Sequence, residues 1–345
     1  MSDAVLFKQH RQLGVITLNR SIALNALTLA MLKVIYTQLK AWENNDTVAA
    51  VLIEAEGERA FCAGGDVRWL YANRDDLNMQ MSFFAEIYQL NTLIQQYKKP
   101  YIAIMNGLTM GGGVGVSLHG SYPIATERFV FSMPETAIGF FPDVGASYLL
   151  TRCPGSIGMY LGLTGARFNA YEAYASRLVK GVITSEKVAL LKDALINLNL
   201  FKNPKQQVGD CLAKFLTKPD ALHGSPSIPF NLIIDWFKQP SVAEILIALD
   251  QSSEALAHTI KADLLTKSPM SLAVTFQQLM QAKSKSFHEC ITMDYCLAKH
   301  FMQAADFYEG VRALLVDKDN MPQWQPATLT QINADTVAHY FQLDA

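Results

Sequence analysis

The sequence predicts an α/β protein with a mostly helical C-terminal part. Up to about residue 200, short apolar runs alternate with segments whose apolar residues recur at helical spacing, and this alternation is typical of an α/β core. Beyond Gly155 the strand pattern fades while the helical pattern continues. We therefore predict two regions, an α/β core at residues 1–200 and a helical C-terminal region at residues 201–345.

The N-terminal part of the chain predicts two strands, a helix and a third strand. The segment "AVLFKQHRQLGVITLNR" indicates two short strands with a turn near Gln12 and Gly14. In "TLAMLKVIYTQLKAWENN" the apolar residues follow a helical period, and Thr28 is suited to cap the helix N-terminus. The apolar run "AAVLIEAEG" predicts a buried strand.

The middle of the chain alternates between glycine-rich turns and regular elements. A turn at "FCAGGDV" precedes a helical pattern from Met79 to Gln96, and "KPYIAIMNG" predicts another strand that starts at Pro100. The segment "MGGGVGVSLHG" has the pattern of a turn that enters a helix, and "YPIATERFVFSMPE" contains further strand. These elements complete the predicted α/β core.

The C-terminal part is predicted to be helical, with helices in "SEKVALLKDALINL", "SVAEILIALDQSSEALAHTIKADLL" and "SLAVTFQQLMQAK". The stretch from Lys202 to Pro240 carries several prolines and indicates an inserted helical segment or a loop. The last pattern, "EGVRALLVDKDNMPQWQPATL", predicts a helix followed by an exposed tail that proline interrupts.

Composition argues against several classes of protein. The chain has 345 residues, of which 50% are hydrophobic, and its net charge of −2 supplies no overall basic field for a nucleic acid partner. Its five cysteines form no CxxC pair, which favours reduced thiols. No apolar run predicts a membrane span, and the first residues lack the pattern of a signal peptide. We therefore expect a cytoplasmic protein with no membrane partner.

Two glycine-rich turns are candidates for binding an anion. "CAGGD" at residues 62–66 and "MGGGVG" at residues 110–115 each follow an apolar strand, and glycines there expose backbone N–H groups to a ligand. Two such turns facing each other would form an oxyanion hole, which stabilises the anion formed when a carbonyl is attacked. The alternative is that the glycines only permit tight turns. Neither stretch matches the P-loop or the dinucleotide fingerprint.

Two carboxylic acids stand in a segment that otherwise has the composition of buried structure. Glu135 and Asp143 are the only charged residues in "MPETAIGFFPDVGAS". A buried carboxylate is costly without a partner, so each acid needs either a partner or a chemical role. The structural alternative is a paired buried glutamate and an aspartate that begins a turn after Pro142.

Together these motifs resemble a known family. "FCAGGD", "NGLTMGGGVG" and "MPETAIGFFPDVG" are similar to the crotonase (enoyl-CoA hydratase/isomerase) superfamily, and "SPMSLAVTFQQL" and "DFYEGVRALLVDKDNMPQWQP" resemble the extended tail of its hydrolase branch. The resemblance implies the ClpP-like spiral crotonase fold of repeated ββα units, with a mostly helical C-terminal part. It covers almost the whole chain.

The resemblance also implies roles for particular residues. Members of the superfamily hold a thioester carbonyl between two backbone N–H groups, and these positions match Gly65 and Gly112. Glu135 matches the acid that faces the thioester, and Asp143 matches the second carboxylate of the hydrolase branch. In hydratases a further glutamate follows the glycine triplet by two residues, and this chain has Gly115 there.

Two further positions are implied to contact substrate. Asn25, in "ALNAL", matches a loop that contacts the CoA adenine through its backbone, and Glu86 lies on a helix expected to border the acyl pocket. The implied reaction is hydrolysis of 3-hydroxyisobutyryl-CoA in valine breakdown. CoA is then part of the substrate, no metal or tightly held cofactor is expected, and a homo-oligomer is allowed because many members assemble.

Several alternatives stay open from the sequence. The chain could instead be another crotonase-type hydratase or isomerase, or a catalytically silent acyl-CoA-binding protein. Glu135 could attack the thioester directly or activate a water molecule. Asp143 could orient that water or bind the hydroxyl group of the substrate.

Overall fold

The computed structural model describes residues 4–217 and 228–342 of the chain. Backbone contacts divide it into two compact units, each drawn from three segments. The first unit comprises Met1–Gly65, Gln89–Phe131 and Phe168–Pro226, and the second comprises Asp66–Tyr88, Ser132–Arg167 and Ser227–Ala345. The division near residue 200 stays a prediction.

Within the described residues, ten strands form two sheets that belong, apart from Ser132, to the first unit. The larger sheet has the order β1-β2-β3-β5-β7-β10 and the smaller has the order β4-β6-β8-β9. The strands are β1 (Val5–His10), β2 (Leu13–Leu18), β3 (Ala50–Ala55), β4 (Ala60–Cys62), β5 (Tyr101–Met105), β6 (Leu108–Met110), β7 (Tyr122–Thr126), β8 (Val130–Ser132), β9 (Phe168–Asn169) and β10 (Gly181–Ile183).

The strand pairing confirms the predicted N-terminal hairpin. β1 and β2 are antiparallel, with Val5 opposite Leu18 and His10 opposite Leu13, whereas β2, β3, β5, β7 and β10 run parallel to one another. Two strands, β9 and β10, follow Gly155, where the strand pattern in the sequence fades. They are only two and three residues long, too short for an alternating pattern to be visible in the sequence.

The described helices of the first unit pack against its two sheets. They are α1 (Leu29–Glu43), α4 (Gly112–Gly115), α7 (Ala170–Ala175), α8 (Val188–Asn197) and α9 (Pro204–Ala213). Thr28 is the predicted N-cap of α1, since its side chain accepts a hydrogen bond from the N–H of Met31 at 3.3 Å. Leu52 and Ile102 of the sheet belong to one buried cluster with Leu191 of α8. Burial on both faces explains the continuous apolar runs of β3 and β5.

The described part of the second unit is mainly helical. Its helices are α2 (Val67–Ala72), α5 (Ala146–Leu150), α6 (Ile157–Thr164), α10 (Phe230–Phe237), α11 (Val242–Asp250), α12 (Ala255–Leu264), α13 (Pro269–Ala282), α14 (Phe287–Gln303), α15 (Ala305–Val311) and α16 (Ala334–His339). The long helix α3 (Leu77–Gln95) contributes residues to both units. Every residue of α6 is buried, and α13 and α5 pack on it.

The structure adds detail to three local predictions. The glycine triplet enters a helix, as predicted, and this helix has only four residues. The proline-rich stretch contains α9 and α10, while its residues 218–227 lie outside the described residues. The last predicted helix corresponds to the end of α15, at Val311, and to one π-helical turn, Arg312–Val316, that follows it directly.

Candidate active site

Glu135 begins a short 3-10 turn that several hydrogen bonds hold in the second unit. The turn spans Glu135–Ile138. The hydroxyl of Thr136 donates to the carbonyl of Leu163 at 2.9 Å, and the N–H of Ser268 donates to the carbonyl of Thr136 at 3.2 Å. The backbone next to Glu135 is therefore anchored to α6 and to the start of α13.

Helix α15 packs directly against this turn through two glycines. A Cβ atom at Gly139, which has a φ of +69°, would lie 2.2 Å from the carbonyl oxygen of Asp306. A Cβ atom at Gly310 would lie 2.4 Å from the carbonyl carbon of Ile138. Such distances leave no room for a side chain, so the backbones of α15 and the turn are in direct contact. The glycine of "DFYEGV", Gly310, therefore allows α15 to lie against the turn that carries Glu135.

The Glu135 carboxyl is buried and incompletely paired. It is 7% exposed, and its Oε2 has no hydrogen-bond partner among the described residues. Burial raises the pKa of Glu135 well above its ordinary value, and the nearby Asp143 raises it further. A buried acid with a raised pKa and one unpartnered oxygen is typical of a general base or nucleophile rather than of a structural residue.

Asp143 is also buried, but it has a partner. The hydroxyl of Tyr88 donates to its Oδ2 at 3.0 Å. Burial raises the pKa of Asp143 to about 7, and the hydrogen bond from Tyr88 opposes that shift. Burial, together with the neighbouring acids, raises the pKa of Tyr88 well above its ordinary value, so Tyr88 keeps its proton and acts as a donor.

Two phenylalanines between the acids, Phe140 and Phe141, pack against other aromatic rings of the second unit. Phe140 stacks on Phe84 with ring centroids 5.6 Å apart and contacts the rings of Phe301 and Phe307 at 5.4 and 5.6 Å. Phe141 lies 5.3 Å from Phe301. These contacts fix the connection between Glu135 and Asp143, and the two acids interact electrostatically. The two acids therefore belong to one buried cluster.

A third buried carboxyl, Asp294 of α14, belongs to the same cluster and was not predicted from the sequence. Its Oδ2 accepts a hydrogen bond from the N–H of Gly145 at 2.8 Å, and its Oδ1 accepts from Nε2 of Gln278 at 2.9 Å. Burial raises the pKa of Asp294 well above its ordinary value, and Asp143 adds to the effect. The only signal available was a single acid on the buried face of α14, which otherwise carries apolar residues and His300.

In the first unit the two glycine turns lie against each other. Gly64 has a φ of +113°, and a Cβ atom there would lie 3.5 Å from the carbonyl oxygen of Met110. A Cβ atom at Gly113 would lie 2.3 Å from the carbonyl oxygen of Cys62. Glycine is therefore required for the close approach of these backbones. The structure brings together the turns that carry Gly65 and Gly112.

Both turns present backbone donors. Leu27 pairs with Gly65 through a bond from its own N–H to the carbonyl of Gly64 at 2.8 Å, which leaves the N–H of Gly65 unused by that pairing. Among the described residues, neither Gly65 nor Gly112 donates its N–H to a backbone carbonyl. Two adjacent turns with unused N–H groups have the properties required of an oxyanion hole.

Asn25 has a structural role that the sequence did not reveal. Its Nδ2 donates to the carbonyls of Glu56 and Ala60 at 3.0 and 3.1 Å, and its Oδ1 accepts from the N–H of Arg20 at 2.8 Å. The side chain is thus fully occupied within the first unit. The neighbouring carbonyl of Leu24 accepts from Ala63, so the Asn25 loop adjoins the first glycine turn. Only a backbone contact with substrate, as predicted, remains available.

Glu86 is half-buried on α3, two residues before Tyr88. At 3.6 residues per turn, side chains two positions apart leave a helix about 200° apart. Glu86 therefore points away from the side on which Tyr88 meets Asp143. Its role in substrate binding stays a prediction.

Other reactive groups are less suited to catalysis. Burial raises the pKa of Cys62 to about 12, so its thiol is neutral despite its position in the first glycine turn. In the parts of the chain that the structure describes, no group of three His, Cys, Asp or Glu side chains is arranged to hold a metal ion. Likewise, none of the described helices combines the length and the hydropathy needed to cross a membrane.

Comparison with known proteins identifies relatives along nearly the whole chain. A family model described as enoyl-CoA hydratase/isomerase matches residues 13–341. The chain is 41% identical to the mitochondrial 3-hydroxyisobutyryl-CoA hydrolase of Bos taurus over 98% of this chain and 88% of that protein. It is 39% identical to the corresponding Homo sapiens protein over 99% of this chain and 89% of that protein.

Solved structures show the same fold. A structure described as a carnitinyl-CoA dehydratase from Mycobacterium thermoresistibile matches with a TM-score of 0.90 and 34% identity over 99% of this chain and 97% of that one. A structure described as an enoyl-CoA hydratase from Rhodobacter sphaeroides matches with a TM-score of 0.88 and 34% identity over 98% of this chain and 97% of that one. The predicted crotonase fold is confirmed.

The predicted location is corrected by these comparisons. A cytoplasmic protein was expected from the absence of a recognisable targeting pattern. The relatives from Bos taurus, Homo sapiens and Xenopus tropicalis are all named mitochondrial, which contradicts that expectation. The cytoplasmic prediction is therefore wrong.

Proposed function

The chain belongs to the enoyl-CoA hydratase/isomerase family, and we propose that it hydrolyses the thioester of 3-hydroxyisobutyryl-CoA to 3-hydroxyisobutyrate and CoA. The observation that carries this proposal is the alignment of proteins named for that activity along nearly the entire chain. The buried acids Glu135 and Asp143 support it, because a hydrolase must deliver water or a carboxylate to a carbonyl.

Thioester hydrolysis requires stabilisation of an oxyanion. Addition of oxygen to the carbonyl turns its oxygen into an anion, and collapse of the adduct expels the CoA thiolate. The unused N–H groups of Gly65 and Gly112 are suited to donate to that anion. Loss of one such donor typically raises the barrier by about 3 kcal/mol.

Glu135 acts by one of two routes. As a nucleophile, its carboxylate attacks the carbonyl, CoA leaves as a thiolate, and water then hydrolyses the mixed anhydride. As a general base, it accepts a proton from the water that attacks the carbonyl. Both routes require the ionised carboxylate, so the raised pKa of Glu135 makes activity rise with pH. Transfer of isotopic oxygen from labelled water into Glu135 during single turnover would identify the anhydride route.

Asp143 acts next to Glu135 on water, on substrate or on both. The hydrogen bond from Tyr88 occupies one position on Oδ2 and leaves further acceptor positions on the carboxylate. A water molecule or the 3-hydroxyl of the acyl group could donate to those positions. We favour a mixed role in which the hydroxyl contact contributes.

A second candidate function is water addition to, or removal from, an acyl-CoA. The names of the two solved structures with 34% identity favour it. Against it stands Gly115, which occupies the position where hydratases of this superfamily carry a second glutamate. The remaining alternative is a catalytically silent acyl-CoA-binding protein, which would not need a cluster of buried acids.

The test is a panel of acyl-CoAs incubated with the purified chain. We expect release of free CoA thiol from 3-hydroxyisobutyryl-CoA and no hydration of crotonyl-CoA. Hydration of crotonyl-CoA without thiol release would instead identify the chain as a hydratase. CoA binding with neither reaction would leave only a binding protein.

Three further features belong to the same proposal. We place the reaction in valine breakdown, treat CoA as substrate and product, and expect no requirement for a metal or a tightly held cofactor. Activity that survives exhaustive treatment with a chelator is the expected result. Light scattering would decide between a monomer and a homo-oligomer, since many crotonases assemble.

A further inference from the structure

The loop that carries Asp143 has a strained backbone. Val144 and Gly145 follow Asp143 with φ angles of +54° and +74°. A positive φ is ordinary for glycine but unfavourable for a β-branched residue such as Val144. The loop therefore needs contacts outside itself to keep Asp143 in place.

Gln278 and Asp294 supply those contacts on both sides of Asp143. Nε2 of Gln278 donates to the carbonyl of Pro142 at 3.0 Å, and the N–H of Gly145 donates to Oδ2 of Asp294 at 2.8 Å. Gln278 also donates to Oδ1 of Asp294 at 2.9 Å, so the two side chains hold each other. The carbonyl of Pro142 can only accept, so the Gln278 amide must present its Nε2 group to Pro142. The same Nε2 group then donates to Asp294.

Loop support alone does not require an acid at position 294. An asparagine oxygen could accept the same bond from Gly145, and a fully buried carboxylate is costly. A carboxyl group differs in having two oxygens that can accept at once, one from Gly145 and one from Gln278. The titratable groups that interact with Asp294 are Asp143, Tyr88 and, on its own helix, Cys290.

We infer that Asp294, held by Gln278, is a positioning residue for thioester hydrolysis: its two accepted hydrogen bonds keep the loop of Asp143 in place. The inference rests on the proposed function, because it assigns Asp294 a role in that reaction. Asp294 acts on the reaction through the loop that carries Asp143, which it contacts at Gly145.

The test compares Asp294→Asn with wild type in thiol release from 3-hydroxyisobutyryl-CoA. The new amide can accept from Gly145 or from Gln278 but presents a donor to the other, so one of the two contacts is lost. We expect kcat to fall about 10- to 100-fold with little change in KM, the cost of a small misplacement.

Glu289→Ala is the matched control on the same helix. Glu289 accepts from the N–H of Ser286 and forms the capping box of α14, so its loss weakens that helix without touching the Asp143 loop. The control is expected to lower the melting temperature and to keep the wild-type kcat. A similar kcat loss in both variants would show that Asp294 has only a structural role and would contradict the inference.

The remaining outcomes separate the inference from the proposed function. Absence of wild-type thiol release would contradict the proposed function itself. An active wild type with a folded Asp294→Asn of unchanged kcat would overturn the inference alone. If Asp294→Asn does not fold, Gln278→Met removes the hydrogen bonds of Gln278 to Pro142 and to Asp294: a lowered kcat supports the inference, and a wild-type kcat overturns it.

Discussion

At the scale of single residues, burial explains the chemistry of the acid cluster. Glu135, Asp143 and Asp294 are buried, and burial is the largest cause of the raised pKa of each. Tyr88 remains a neutral donor within the same group. The acid motif itself was visible in the sequence because charged residues are conspicuous in an apolar segment. Tyr88 and Asp294 were not, because each is a common residue type on a helix.

The role of Asp143 predicts a difference between two substrates. If its carboxylate binds the 3-hydroxyl, Asp143→Asn should lose much more activity on 3-hydroxyisobutyryl-CoA than on isobutyryl-CoA, because a site built around a hydroxyl discriminates by that pairing. Rates of thiol release on both substrates give the comparison. Equal proportional losses would exclude the hydroxyl contact, and no loss on either would make Asp143 structural.

The raised pKa of Asp143 also predicts how stability depends on pH. The folded state binds this proton more tightly than the unfolded state, so the contribution of Asp143 to stability declines as pH rises from 3.8 to about 7. One pKa unit equals about 1.4 kcal/mol, so Asp143→Asn should stabilise the fold by up to about 4 kcal/mol above that range. Thermal melts at pH 8 and pH 4 should show a gain at pH 8 that shrinks at pH 4. A gain that is equal at both pH values would contradict the assignment.

At the scale of elements, short contacts between backbones set the geometry of the site. Gly113 allows the second glycine turn to touch Cys62, and Gly139 and Gly310 allow α15 to touch the turn of Glu135. The sequence predicted the turns because glycines cluster there. It did not predict that α4 has four residues, since helix length depends on the packing around it.

Gly113→Ala should disturb the turn that carries Gly112. Its Cβ would lie 2.3 Å from the carbonyl oxygen of Cys62, so the backbone must move, at a cost of about 1–3 kcal/mol in unfolding free energy. We expect thiol release to fall at least about tenfold, because the N–H of Gly112 moves with the turn.

Gly209→Ala is the control for that substitution. Gly209 lies in α9 of the same unit, and a Cβ there meets its nearest neighbour, the hydroxyl of Tyr122, at 3.4 Å. Alanine should therefore be neutral or slightly stabilising, with unchanged turnover. A folded Gly113→Ala protein as active as the control would exclude this turn from the oxyanion hole.

At the scale of the whole molecule, the sequence predicted the fold through its motifs and missed its long-range contacts. The strands, the hairpin and most helices follow from local periodicity. Asp294 and Gly145 form a hydrogen bond although they are 149 positions apart in the sequence, and no local pattern predicts such a contact. The two contact-defined units are likewise each assembled from three separate segments, which periodicity along the chain does not reveal.

The central claim is that Glu135 drives hydrolysis of a 3-hydroxyacyl thioester. Its most direct test is thiol release from 3-hydroxyisobutyryl-CoA by wild type and Glu135→Gln, with Glu172→Gln as a control at another buried glutamate, one that caps α7. The account predicts that Glu135→Gln stays folded and binds CoA but turns over at least about 100-fold more slowly, whereas Glu172→Gln keeps its turnover. A folded Glu135→Gln protein with near wild-type turnover would contradict the account.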